Sequence, residues 1–140
     1  MRNRKTAWIL AVGLGMTAFA GCGSEEMKNY EQAAQDLEAE NFDAALQEYE
    51  AAISAGVKLA QSYRGAGVAN LRLGNYEQAI EDFNHALNSD KVGKALKKDI
   101  LSYRAAAYLK TKAYDEAMAD CQSIAESYDM DADLYFLTGK

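Results

Sequence analysis

Two segments of the sequence repeat one another at a spacing of 34 residues. One begins at Asn41 and the other at Asn75, and each continues with an aromatic residue, an alanine and a second aromatic residue in matching positions. A third, shorter copy begins at Ala113, where the spacing lengthens to 38 residues because four residues are inserted near 91–94. A repeat of this length indicates stacked pairs of helices, since one pair cannot bury its apolar face without a neighbour.

The composition favours helices over strands. The chain has no Pro, the strongest helix breaker, and 10 Gly among 140 residues. Ala, Glu, Leu, Gln and Lys are frequent, whereas Val and Thr are scarce. The sequence therefore predicts an all-α domain, in which Gly56 and Gly74 form left-handed helix ends. The expected helices cover residues 28–39, 43–54, 59–72, 76–88, 95–111 and 114–127, and a seventh helix begins at Asp131.

Small and bulky residues alternate along these helices in a further pattern. In the first helix of each pair, called helix A, a small residue recurs at Ala33, Gly67 and Ala105, where close packing leaves little room. In the second helix, called helix B, the matching sets are Ala45, Tyr49 and Ala52; Ala79, Phe83 and Ala86; and Ala117, Cys121 and Ile124.

This pattern resembles the tetratricopeptide repeat, although the Pro that closes each repeat in the family is absent from all three copies. The resemblance implies a right-handed superhelical stack of about three repeats plus a C-terminal helix. The repeats would cover residues 26–59, 60–93 and 98–131, and 132–140 would begin a fourth helix pair. An ordinary helical bundle in which the spacing recurs by chance is the alternative.

The N-terminus has the layout of a secretory signal. A basic start that ends at Lys5 precedes an apolar run from Thr6 to Ala20. This run is shorter than the ~20 residues that span a bilayer. The sequence therefore predicts an exported chain rather than a transmembrane helix.

The end of the apolar run, Phe19-Ala20-Gly21-Cys22, resembles a bacterial lipobox, although Phe stands where the family usually has Leu. The resemblance implies a signal peptide at 1–21, a diacylglyceryl group on Cys22, a polar tether at 22–27 and a repeat domain at 28–140. The protein would then be lipid-anchored on the extracytoplasmic side of the cell membrane. Because Gly23 stands where inner-membrane lipoproteins have Asp, a two-membrane host would place it in the outer membrane. An ordinary cleaved signal and an uncleaved anchor are the alternatives.

The tetratricopeptide resemblance also implies a ligand groove lined by the A helices. The Lys and Asn that clamp a peptide carboxylate in some members are absent, so the implied ligand is a protein helix or extended peptide with apolar anchors and some acid. The alternative is that the leucines are core and the basic residues are solvated or ion-paired within the chain. The groove residues would be Tyr30, Leu37, Arg64, Val68, Leu71, Arg72, Ser102, Leu109 and Lys110, with Met27, Ala34, Glu38, Gln61, Asp99 and Ala106 at positions of the same kind.

Charge and residue usage exclude several other functions. The net charge is −6, and without the three basic residues of the first 21 it becomes 12 − 21 = −9, which disfavours nucleic-acid binding. The only His is His85, Cys121 is expected to be a small buried residue, and no phosphate-binding loop is present. We therefore expect no enzyme, no cofactor and no metal site. The expected function is an adaptor that binds a protein partner; the alternatives are a structural or self-assembling envelope protein and an accessory subunit of an envelope enzyme.

Overall fold

The computed structural model describes residues 22–138, without the side chains of 22–24, 129 and 131–138. The predicted signal peptide at 1–21 lies outside the described residues. The described chain is all-α and contains no strand, as predicted. Its helices are α1 (Cys22–Glu38), α2 (Phe42–Ser54), α3 (Leu59–Leu73), α4 (Tyr76–Asn88), α5 (Lys94–Lys110) and α6 (Tyr114–Thr138).

Two predicted boundaries are wrong. The first helix begins at Cys22 rather than at residue 28, so residues 22–27, predicted as a tether ahead of the helix, form the start of α1, where Glu25 in the first turn is favourably placed against the helix dipole. The break predicted between residue 127 and a seventh helix at Asp131 is also absent, because α6 runs unbroken to Thr138. That stretch contains no Gly or Pro, so nothing in it stops a helix.

The turn from helix A to helix B has the same conformation in all three pairs. It passes through one residue of positive φ, which is Glu40 (62°), Gly74 (84°) and Lys112 (61°). In each turn this residue donates its N–H to the carbonyl three positions back, and the next residue donates to the carbonyl five positions back. These two bonds are the Schellman arrangement, which satisfies carbonyls left free at a helix C-terminus. Gly56 also has positive φ, at 74°, so both predicted glycine ends are confirmed.

The core consists of small residues packed against aromatic rings. Ala33, Gly67 and Ala105 are all buried in the A helices. The ring of Tyr49 in α2 lies against Gly65 in α3, and a Cβ at Gly65 would collide with it. A Cβ at Gly67 would come within 2.6 Å of the Phe83 ring in α4. The helices therefore approach closely because glycine stands where an aromatic ring must fit.

Most of the four-residue insertion lengthens a helix. The linker between α4 and α5 covers 89–93, only slightly longer than the linker at 55–58 between α2 and α3. In the 38-residue register Lys97 corresponds to Leu59, yet α5 already begins at Lys94. Helix α5 thus gains about one turn at its N-terminus. None of the described helices combines the length and the hydropathy that crossing a membrane requires.

Candidate ligand groove on the A helices

Two adjoining hollows form a groove between the A helices. The first has a volume of about 230 Å³ and the second about 180 Å³, and they share Leu37, Glu38 and Arg64. The first is completed by Tyr30, Ala34, Tyr49, Gln61, Leu96 and Asp99, and the second by Glu40, Phe42, Val68, Arg72 and Tyr103.

Five of the nine predicted groove residues lie together in these hollows: Tyr30, Leu37, Arg64, Val68 and Arg72. Val68 is 5% exposed and forms part of the floor. Leu37 packs against both apolar clusters of the core while lining both hollows. Leu37 therefore packs in the core and lines the groove at the same time.

The other four predicted residues lie outside the two hollows. Leu71 packs against the apolar cluster that contains Phe83 and Ile100, as the core alternative predicts. Ser102, Leu109 and Lys110 are exposed on α5. The hydroxyl of Ser102 donates a hydrogen bond to the carbonyl of its own helix at Lys98, at 3.0 Å.

Arg64 stands at the junction of the two hollows and connects two A helices. Its Nε in α3 donates a hydrogen bond to Oδ2 of Asp99 in α5 at 2.7 Å, and its guanidinium lies 5.1 Å from the centre of the Tyr103 ring. Arg64 therefore forms an ion pair within the chain and also lines the groove. The two side chains are 28% and 41% exposed, so the pair contributes at most ~1 kcal/mol to stability, and its main effect is to orient the guanidinium.

Aromatic rings close the end of the groove beside α1. Tyr30 and Tyr49 meet edge to face with ring centres 6.1 Å apart, and Nζ of Lys58 lies 4.7 Å from the centre of the Tyr30 ring. Burial raises the pKa of Tyr49 to about 12, so its phenol stays neutral at physiological pH. This end of the groove is suited to an apolar ligand group rather than a charged one.

Sequence reasoning missed a row of acids on the B helices, of which Asp82 and Asp120 are buried and Glu48 is half-buried. Glu48, Asp82 and Asp120 each follow the repeated alanine of their helix by three residues, a spacing that is visible in the aligned copies. Asp82 accepts a hydrogen bond from Nδ2 of Asn70 at 2.8 Å, and Asp120 accepts two from Arg104, at 2.9 and 2.6 Å. These bonds join helix A to helix B within a pair, so Asp82 and Asp120 are part of the scaffold.

The prediction that Cys121 is buried is wrong, because its side chain is exposed. The matching residues Tyr49 and Phe83 are buried by the next A helix along the chain. No helix follows α6 among residues 22–138, so the same position on α6 has no cover.

Comparisons with family models, with curated proteins and with solved structures gave no match to this chain. Within the described residues, no three His, Cys, Asp or Glu side chains come together as a metal site would need. The groove is the candidate site to which α1, α3 and α5 all contribute residues.

Proposed function

We propose that the protein is a lipid-anchored adaptor of the bacterial cell envelope, built as a tetratricopeptide-like stack that binds a partner segment in the groove. The single observation that carries the proposal is that α1, α3 and α5 all contribute to one groove with an apolar floor and arginines beside it. Stacked repeats bind extended ligands on such surfaces.

Recurring geometry supports the stack. The Schellman turns at Glu40, Gly74 and Lys112 are spaced by the same 34 and 38 residues as the sequence copies. The buried small residues of the A helices and the acids of the B helices have these spacings too. One structural unit therefore occurs three times, as a repeat protein requires.

The groove chemistry suggests an apolar segment with one or two acids. Val68 and Leu37 offer an apolar floor, and Tyr30 offers an aromatic wall. Among the described residues Arg64 uses only Nε in its bond to Asp99, which leaves its two terminal nitrogens for a ligand carboxylate. Arg72 lines the second hollow and forms no ion pair with any residue in the described part of the chain.

The lipid anchor would hold this groove close to the membrane. Helix α1 begins at Cys22, and Tyr30 of the same helix lines the first hollow. Eight residues of helix span only ~12 Å. Diacylation at Cys22 would then fix the groove near the bilayer through a rigid link, because two acyl chains bind a membrane stably.

Metabolic labelling tests the anchor. Cells that express the full chain are fed an alkyne fatty acid, and the protein is expected in the membrane fraction with the label attached. The Cys22→Ala variant should lose the label, whereas Cys121→Ala should keep it. Equal labelling of both variants would contradict lipidation at Cys22.

Photo-crosslinking in living cells tests the groove. A benzoylphenylalanine at position 72 is expected to give a discrete adduct with a partner, and the same group at position 116, an exposed residue of α6, should not give it. The Arg64→Glu change should abolish the adduct, because it removes the oriented guanidinium and adds repulsion against an acidic ligand. An adduct that survives Arg64→Glu would rule out this groove.

A further inference from the structure

An apolar stripe runs along one side of α6, and only at its C-terminal end does α5 contact it, where Nζ of Lys98 lies 4.0 Å from the centre of the Tyr128 ring. The stripe consists of Tyr114, Met118, Cys121, Ala125 and Tyr128, whose spacing of three and four residues places them on one side of the helix. All five are exposed, and the three large ones are each 61% exposed. Large apolar side chains exposed in one line mark an interaction surface.

The same stripe is covered in the two earlier B helices. In α2 the equivalent positions include Leu46, Tyr49 and Ile53, which belong to the apolar core, and Tyr49 packs on Gly65 of α3. In α4 the equivalents are Ile80, Phe83 and Leu87, which also belong to the core, and Phe83 stacks on Tyr103 of α5 with ring centres 6.2 Å apart. Each stripe is thus a surface that receives an A helix.

From α2 to α6, the B helices are acidic and the A helices between them are basic. Helices α2 and α4 each hold three acids and no Lys or Arg. The A helices that cover them are basic, since α3 holds two arginines and no acid, and α5 holds four lysines and one arginine against Asp99. Helix α6 holds seven acids and no Lys or Arg. This pattern predicts that a helix covering the α6 stripe is basic.

We propose that the α6 stripe is a docking site for a basic amphipathic helix of a partner protein, with Gly or Ala facing Tyr114, Met118 and Tyr128. This helix would take the position that α3 holds on α2 and α5 holds on α4. The proposal is independent of the groove, because none of the stripe residues lines the two hollows.

A second copy of this chain is a poor occupant. Two α6 helices would bring acid against acid, and α1, the helix at the other end of the described chain, holds five acids against Lys28. Like charges at an interface oppose association. The occupant is therefore a partner of opposite charge.

The chain itself supplies a probe for the test. A fluorescent peptide with the sequence of α5, residues 94–110, has a net positive charge and includes Ala107, which packs in the apolar cluster with α4. In the folded chain its Lys94, Lys97 and Lys98 line a hollow that α5 forms with α6. Binding of the peptide to the full chain in phospholipid nanodiscs is measured by fluorescence anisotropy. We expect saturable binding, and we expect a peptide with Lys94, Lys97 and Lys98 replaced by Glu not to bind.

Two adjacent α6 residues give a matched pair of variants. Met118→Glu should weaken peptide binding at least ~10-fold, because it puts a charge into the apolar stripe. Ala119→Glu adds the same charge at an exposed position about 100° away and should leave binding unchanged. Arg64→Glu in the groove should also leave it unchanged, which separates this site from the groove.

Cys121 reports binding independently. Because it is exposed in the middle of the stripe, its maleimide labelling should slow when the peptide is bound. Equal binding by the Met118→Glu and Ala119→Glu variants would overturn the proposal. Self-association of the wild-type chain in sedimentation, lost in Met118→Glu and unaffected by the peptide, would overturn it in favour of a second copy as the occupant.

Discussion

The ring of Tyr49 occupies the space that a Cβ on Gly65 would need. Tyr49 belongs to the first helix pair and Gly65 to the second, so this contact joins two pairs rather than two helices of one pair. Tyr49 is 3% exposed, and its ring is held by Tyr30 on one side. It has little freedom to move away from a larger residue.

Gly65→Ala should therefore destabilise the protein, by about 1–3 kcal/mol. The collision is with a buried ring, and it outweighs the ~0.5–1 kcal/mol that alanine gains over glycine inside a helix. Urea denaturation measures the change. Gly93→Ala is the control, because its added Cβ meets nothing within 4 Å, and a comparable loss there would show that the contact with Tyr49 is not the cause.

Lys112→Gly should stabilise the protein by about 1 kcal/mol, because a lysine at positive φ is strained and glycine is not. Lys112 has a φ of 61° in the third Schellman turn. Thermal denaturation of the variant is compared with that of Thr111→Gly, whose φ is −89°, and which should lose stability. Equal changes in Tm for the two variants would contradict backbone strain at Lys112.

Asp120→Ala should destabilise the protein by about 3 kcal/mol, since it leaves the Arg104 guanidinium without its buried partner. The Asp120 side chain is 6% exposed, and its hydrogen bonds raise the pKa of Arg104. Asp115→Ala, an exposed acid of the same helix, is the matched control. Equal losses of denaturation free energy in the two variants would contradict the assignment of this ion pair to the scaffold.

Glu48 should make the protein less stable as pH rises. Burial, and then the nearby negative charge of Asp36, raise the pKa of Glu48 above its usual value of 4.5, so the folded chain holds a proton that the unfolded chain releases. Its contribution to stability is present below about pH 4.5 and is lost as pH rises through the folded-state pKa. One carboxylate oxygen of Glu48 is buried without a hydrogen-bond partner, which agrees with a preference for the neutral form.

The Glu48→Gln variant tests this pH dependence. Its unfolding free energy should rise by a few tenths to ~1 kcal/mol at pH 7, because a neutral amide can donate to Asp36 at every pH. The decline between pH 4.5 and 7 should become shallower than in the wild type. Glu50→Gln, at an exposed position, is the control, and identical pH profiles for Glu48→Gln and the wild type would contradict the raised pKa.

Native-state labelling checks the corrected position of Cys121. Because the side chain is exposed, maleimide should react with it in the folded chain at a rate close to that in urea. The Cys121→Ser variant should show no such labelling. Protection of Cys121 in the folded chain without any added peptide would contradict an uncovered α6 stripe.

The sequence predicted the helices well because they are bounded by strong local signals. Gly74 ends α3, and the alanine and aromatic positions of α2 and α4 are buried as their spacing requires. It failed at α1 and α6, where the expected ends came from the repeat register rather than from any residue that stops a helix. Cys121 was placed by the same register, which does not say whether a following helix is present to cover the position.

The groove could be predicted only in part for a similar reason. Most positions on α1 and α3 followed the helical register, so Tyr30, Leu37, Arg64, Val68 and Arg72 were placed correctly in one region, whereas Leu71 of α3 packs in the core. On α5 the register missed Tyr103 and Leu96, which lie in the groove, and included Ser102 and Leu109, which do not. Rotation of one helix about its axis depends on long-range packing, which residue spacing within that helix does not determine.

The three Schellman turns are closed by different residues, Glu40, Gly74 and Lys112, yet their backbone hydrogen bonds are the same. The turn is therefore set by how the two helices of a pair pack, and the residue at its centre only adjusts the stability. A chain built in this way can gain or lose a whole helix pair by duplication or deletion of about 34 residues, because each pair uses the same turn. The length of its binding surface can therefore change while the turn within each helix pair stays the same.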